Sequence, residues 1–352
     1  MRHLLTSVVY ISVCSFLLSG CALFSPSALT DAQKDVFHAI RSHSDDKVFS
    51  EKLKTAGKYV DFQEPDTLRT PLIAAAFYGD SAKLSNLLEA GADVSMKDQK
   101  GMTALHYASQ LPESSALKAL INAKADVNVQ DKNDKTPLME ACRLGIYSNV
   151  DALLDAGANV DIYDSRGRGV LIFAGMAPKN SLDVVMLLFK KRPDLLKDDP
   201  YATSAATAAT YAHNSNTAMY LLRRLPDDVT KNRETLMSAM IIMRAAVAAQ
   251  DKIVAAELIR KKIPLNSSLS VIYKVLEKVE MKKWLYTFVH AGLMDDGKTP
   301  LAWAAETDSV PMIELLLAAG ADPYCKDNAG CYPIEYTRKM DSHAVLKKAM
   351  KN

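Results

Sequence analysis

The chain has 352 residues, with 43 Lys+Arg against 41 Asp+Glu and a formal net charge of +2. That balance excludes a strongly basic nucleic-acid binder and an acidic disordered tail protein, and 14 Gly with 14 Pro excludes collagen-like and low-complexity classes. The 49% hydrophobic content is enough to pack, but a single core of this length is near the upper limit, so two domains or a repeat array is expected. The first element in chain order is a targeting segment over residues 1–20. Arg2 and His3 precede an apolar stretch, 4–18, diluted by Ser and Thr. No later stretch is long and apolar enough to span a bilayer.

The segment closes on Leu18-Ser19-Gly20-Cys21. Small residues at 19 and 20 suit a signal peptidase pocket, and a Cys directly after them resembles the lipobox of bacterial lipoproteins. The resemblance implies that Cys21 is acylated and becomes the first residue of the mature chain. An ordinary signal peptide, or a membrane helix with a chance Cys, is the alternative. Acyl chains contribute about 0.8 kcal/mol per buried methylene, so several chains anchor stably. Ala22 stands where lipoproteins retained at the inner membrane usually carry Asp. The resemblance therefore implies the outer membrane, facing the periplasm, with residues 21–30 as lipidated N-terminus and tether.

The body repeats. Thr70-Pro71-Leu72, Thr103-Ala104-Leu105 and Thr136-Pro137-Leu138 start 33 residues apart, as do Thr299-Pro300-Leu301 and Tyr332-Pro333-Ile334. Small residues follow each start, then an apolar pair such as Leu87-Leu88, Leu153-Leu154 or Leu315-Leu316, as a second helix requires. Ala90-Gly91-Ala92-Asp93, Ala156-Gly157-Ala158-Asn159 and Ala319-Gly320-Ala321-Asp322 come next. Thr suits the N-cap of the first helix and Pro its first turn. Gly91, Gly157 and Gly320 suit a left-handed helix end, and Asp98, Asp131, Asp164 and Asp327 suit the start of a turn.

This pattern resembles the ankyrin repeat. The resemblance implies an all-α solenoid of roughly nine helix-turn-helix units with short β-hairpin-like turns. N-terminal capping helices would fill 31–69, regular repeats 70–170, degenerate repeats 171–294, and a C-terminal repeat with its cap 295–352. Within 171–294, units are placed near 204 (Leu221-Leu222), 241 (Leu258-Ile259) and 271 (Phe288-Val289). An irregular helical insert also fits that span.

Motifs that invite chemistry have plainer explanations. Residues 292–299 match the phosphate-loop pattern GxxxxGK[ST], but a true phosphate loop follows a strand. Here a helical pattern precedes it, Asp295 and Asp296 would repel phosphate, and a repeat turn accounts for the letters. Lys298 is then expected on a solvated turn, and no nucleotide is expected. Cys14 leaves with the targeting segment, and Cys142 reads as a small buried residue. Cys325 and Cys331 flank a turn, and the periplasm would permit a disulfide if their Cα atoms lie within about 7 Å. Two free thiols are the alternative. The resemblance implies a structural role for His106. The remaining histidines are scattered, and no metal set, catalytic constellation or cofactor site is read.

The resemblance implies partner binding through the turn tips and the exposed face of each first helix. The tip candidates are Gln99, Lys100, Met102, Lys132, Lys135, Arg166 and Arg168. The helix candidates are Phe77, Tyr78, Gln110 and Arg143. A single tip Lys is often merely solvated. Two adjacent aromatics cannot both face one core stripe, so one of Phe77 and Tyr78 is expected outside. Exposed aromatics and Arg are the usual interface anchors. Trp303 fits core or groove equally. The basic-leaning N-terminal half favours a partner with an acidic face.

The functional expectation is a non-enzymatic, membrane-anchored periplasmic protein-binding module that binds no nucleic acid. It is similar to periplasmic ankyrin lipoproteins that act as immunity proteins against lipase effectors of the type VI secretion system. The alternative is an envelope scaffold or stress-related lipoprotein that supports another periplasmic protein.

Overall fold

The computed structural model describes residues 29–196, 201–268 and 297–351. The targeting segment, Cys21, the unit expected at Phe288-Val289, and residues 292–296 lie outside the described residues. The chain divides into two compact units, Met1–Lys132 and Asn133–Asn352.

The first unit holds three helix pairs: α1 (Asp31–Arg41) with α2 (Asp46–Ala56), α3 (Pro71–Tyr78) with α4 (Ser81–Glu89), and α5 (Ala104–Ala108) with α6 (Ser115–Asn122). The first helices α1, α3 and α5 stack in one layer and the second helices α2, α4 and α6 in another. Local sequence sets each boundary. Thr70 Oγ1 accepts the Ile73 N–H at 3.2 Å, and Pro71 occupies a first-turn position where no N–H is needed. The left-handed Gly79 ends α3, after which Asp80 caps α4 by accepting the Lys83 N–H at 3.0 Å. Ala74, Ala75 and Ala76 are buried, their small side chains allowing the first helices to approach closely.

The second unit continues the plan with α7 (Pro137–Leu144) and α8 (Tyr147–Asp155), α9 (Val170–Gly175) and α10 (Ser181–Lys191), and α11 (Tyr201–Tyr211) and α12 (Ser215–Leu222). Then come α13 (Arg233–Ala248) and α14 (Lys252–Arg260), and α15 (Pro300–Glu306) and α16 (Val310–Ala318). A 3₁₀ turn, Pro333–Tyr336, and α17 (Met340–Ala349) close the stack. First helices again pack on first helices, and second on second. At Gly175 a Cβ would lie 2.7 Å from the Ala205 carbonyl oxygen, so only glycine permits this approach of α9 to α11.

α13 packs directly on α15, and α14 on α16. The two pairs are adjacent layers, although their chain separation exceeds one repeat. The Asp322 N–H reaches Asn266 Oδ1 at 2.8 Å across 56 residues. The Asp93 N–H makes the corresponding bond to Asp61 Oδ1, 2.9 Å long, across only 32.

No strand forms among the described residues, and the turns are closed by aspartate. Asp98 donates its N–H to the Met102 carbonyl at 2.9 Å, while its Oδ1 accepts the N–H groups of Lys100 and Met102 at 2.8 and 2.9 Å. Asp164 Oδ1 does the same for Arg166 and Arg168, and Asp327 Oδ1 for Ala329 and Cys331. Backbone bonds join neighbouring tips. Within the first unit the Gln99 N–H donates to Thr67 O at 2.8 Å and the Lys132 N–H to Lys100 O at 3.0 Å; within the second, the Ser165 N–H donates to Asn133 O at 2.9 Å.

Candidate partner-binding surface

In the first unit an aromatic and cationic cluster forms around the end of α3. Phe77 is 41% and Tyr78 36% exposed, so both aromatics face outward, where only one was expected to. The short helix explains the difference: the buried stripe ends at Ala76 and the chain turns at Gly79. The Phe77 ring packs edge-on against Tyr78, with centroids 5.1 Å apart, and against Tyr107 at 5.3 Å. The Arg69 guanidinium lies 3.9 Å from the Phe77 centroid and 5.3 Å from that of Tyr107. His43 meets Tyr78 edge-on at 6.4 Å.

The acids around this cluster are engaged. Asp98 Oδ2 accepts the Tyr107 hydroxyl at 2.6 Å; burial and this bond push the Tyr107 hydroxyl up to about 12. Asp80 meets the nearly buried Lys83 amine at 2.5 Å. Burial opposes the Asp80 charge, yet the Lys83 hydrogen bonds, with the Lys83 and His43 charges, hold its carboxyl below the usual range. Glu64 pairs with Arg41 and accepts the Thr67 hydroxyl at 2.6 Å.

Gln99, Lys100 and Lys132 have exposed side chains on the tips, and Gln110 is half-buried. Met102 does not belong with them. It is 7% exposed, because Asp98 holds both its N–H and its carbonyl just before the Thr103 cap, and the apolar side chain turns inward.

In the second unit Arg166 is exposed, but the other expected anchors serve the fold. Arg143 binds Glu140 through Nε and Nη2 at 2.9 and 2.8 Å, and Lys135 Nζ reaches the same carboxylate at 3.1 Å. Burial works against the charge of Glu140, which is 4% exposed, but the two cations outweigh it and keep the carboxyl below its ordinary value. Arg168 Nε donates to Asp164 Oδ2 at 2.8 Å, and its guanidinium lies 4.8 Å from the Phe173 centroid. Arg143 and Arg168 are therefore not the freely available groups that the sequence suggested. Each neutralises a buried carboxylate, and such a charge must be paired.

Trp303 is core, 4% exposed, with its indole Nε1 unpartnered. Lys298 is not solvated. It is 8% exposed, pairs with Glu306 at 3.0 Å and lies 4.3 Å from the Tyr336 ring centroid. Cys325 and Cys331 are unbridged. The Cys325 thiol lies 3.7 Å from Asp322 Oδ2, whereas the Cys331 N–H is held inside the Asp327 turn. Cys142 is buried, and burial raises its thiol, so it is unreactive. His106 is buried, its Nδ1 lying 3.2 Å from Thr103 N and 3.1 Å from Thr103 Oγ1. Among the described residues no group of three metal-ligating side chains converges, and no helix is long and apolar enough to cross a membrane.

A family model for ankyrin repeats in three copies matches residues 36–131 and again 72–164, and a single-repeat model matches 296–328. These stretches are ankyrin repeats. No curated protein matches the chain. The ankyrin matches leave 165–295 uncovered, yet helix pairs continue through Arg260. Between 165 and 260 the described helices still pair and stack although the ankyrin letters are lost, because stacking needs small and apolar residues rather than particular ones. Ankyrin arrays are protein–protein interaction modules, generally without catalysis of their own.

Sequence reading missed Arg69, Tyr107 and His43. Arg69 directly precedes a Thr cap, the position also held by Met102, Lys135 and Lys298. That register was the available signal.

Proposed function

We propose that this chain is a lipid-anchored periplasmic binding module that acts as an immunity protein, blocking an antibacterial lipase-type effector of type VI secretion by occupying its surface. The observation that carries the binding role is the paired exposure of Phe77 and Tyr78. Large aromatics that the core does not require, held by neighbours in one orientation, are typical interface anchors, each costing about 2 kcal/mol or more in binding when truncated. The Leu18-Ser19-Gly20-Cys21 run supports the anchor. Acylation at Cys21 would hold the binder at the outer membrane facing the periplasm, beside the lipid that such an effector attacks. Blocking is stoichiometric and needs no catalytic group.

Two experiments test this reading. Cys21→Ser should move the protein from membrane to soluble periplasm, and a variant that stays with the outer membrane would end the anchoring claim. A strain lacking the gene should lose in competition with a parent carrying an active type VI apparatus, and the restored gene should rescue it. Equal survival of the deleted strain would reject the immunity role.

A further inference from the structure

Among the described residues five cations directly precede the cap of a first helix; Lys231, before Asn232, is exposed, while the other four are half-buried or buried and differ in their surroundings. Lys135 has Glu140 at 3.1 Å, Arg168 has Asp164 at 2.7 Å and Lys298 has Glu306 at 3.0 Å. Arg69 has no ion pair among the described residues; its polar neighbour is the Tyr107 hydroxyl, which donates to Asp98. The positions that supply those acids hold Ala74 in the register of Glu140, Pro65 in that of Asp164 and Phe77 in that of Glu306. Arg69 Nε is buried without a hydrogen-bond partner, so a visiting group can meet the guanidinium only at its terminal nitrogens.

The surroundings favour an acidic visitor. Asp98 is committed to the Tyr107 hydroxyl and the tip amides, Asp80 to Lys83, and Glu64 to Arg41 and Thr67. These carboxylates are held by the fold, while Lys100 stands exposed on the neighbouring tip. Phe77 and Tyr107 fix the plane of the Arg69 guanidinium, which lowers the ordering cost of a planar, two-pronged bond to a carboxylate.

We infer that Arg69, framed by Phe77 and Tyr107 with Tyr78 packed on Phe77, receives an Asp or Glu side chain from an acidic segment of a protein partner. The inference rests on the binding role proposed above and names its recognition chemistry. The carboxylate supplies the counter-charge that Lys135, Arg168 and Lys298 find within their own turn or helix, and the exposed aromatic faces cover the apolar part of the incoming side chain.

The test uses the purified full chain and a displayed library of random dodecapeptides as probe. Selected peptides should be enriched in Asp and Glu. Arg69→Met, which keeps the stacking bulk and removes the charge, should bind them about thirtyfold more weakly or worse, whereas Lys118→Met on α6 should bind them as the parent does. In the parent, the Arg69 Nε–H resonance should shift on adding a selected peptide, a readout that stands even if Arg69→Met folds poorly. Peptides without acidic enrichment, no selected peptide at all, unchanged binding to Arg69→Met, or an unmoved resonance would each overturn the inference. So would self-association of the chain that Arg69→Met abolishes, which would give this face to a second copy. The assay depends on neither membrane anchoring nor an effector, so its failure is distinguishable from failure of the immunity reading in bacterial competition.

Discussion

The Arg69 guanidinium carbon stands 3.9 Å from the centroid of the Phe77 ring, which is itself 41% exposed. The contact orders two side chains at the surface and covers more than half of Phe77. Phe77→Ala should therefore lower stability by about 1–2 kcal/mol, less than a core Phe, read by urea unfolding. A loss several times larger would make Phe77 a core residue rather than a binding one.

Tyr107 gives the fold an alkaline limit. Its hydroxyl has an ordinary value of 10.0 and is raised to about 12 in the folded chain. Below pH 10 both folded and unfolded states hold the proton, and the contribution of Tyr107 is fully present. Between about 10 and 12 only the unfolded state releases it, and stability falls. Stability measured from pH 9 to 12 should decline, and Tyr107→Phe should flatten part of that decline. An identical slope in Tyr107→Phe would contradict the assignment.

Glu140 acts at the other end of the scale. Its folded value lies below the ordinary 4.5. Its contribution is therefore present above 4.5 and is lost as pH falls through the lower folded value. Glu140→Gln should cost about 1–2 kcal/mol at neutral pH, a moderate figure because Arg143 and Lys135 can turn toward water. It should also weaken the acid dependence. A variant with the parental acid profile would show that the pair adds nothing.

Two glycines with positive φ should respond differently to alanine. At Gly145 (φ 69°) a Cβ would lie 1.9 Å from the Lys179 carbonyl oxygen, whereas at Gly157 (φ 87°) nothing lies within 4 Å. Gly157→Ala should cost about 1–2 kcal/mol from backbone conformation alone. Gly145→Ala must also displace backbone and should cost about 3 kcal/mol or more. Equal melting temperatures for the two variants would be inconsistent with this packing.

The helix starts were legible in the sequence because capping is local. Thr70, Thr136 and Thr299 each accept an N–H three residues on, and Pro sits beside each. The pairings of Arg143 with Glu140 and Arg168 with Asp164 were visible in principle at spacings of three and four, but both arginines were expected on the binding surface instead. Arg69 was legible only in part: its register before a Thr cap and the missing acids could be read, but its aromatic neighbour Tyr107 comes from the next repeat. Gly175 was missed for a related reason: the demand for a bare backbone is made by Ala205 on another helix, in a stretch where the repeat letters have faded.

The most direct test of the binding account is the double substitution Phe77→Ala with Tyr78→Ala, introduced into the deleted strain and challenged by the parent in competition. Circular dichroism should show the helices of the parent protein. The account predicts that cells carrying the folded variant are killed like the deleted strain, whereas cells carrying the parental chain survive. Full protection by the variant would contradict it, and would remove the end of α3 from the binding surface.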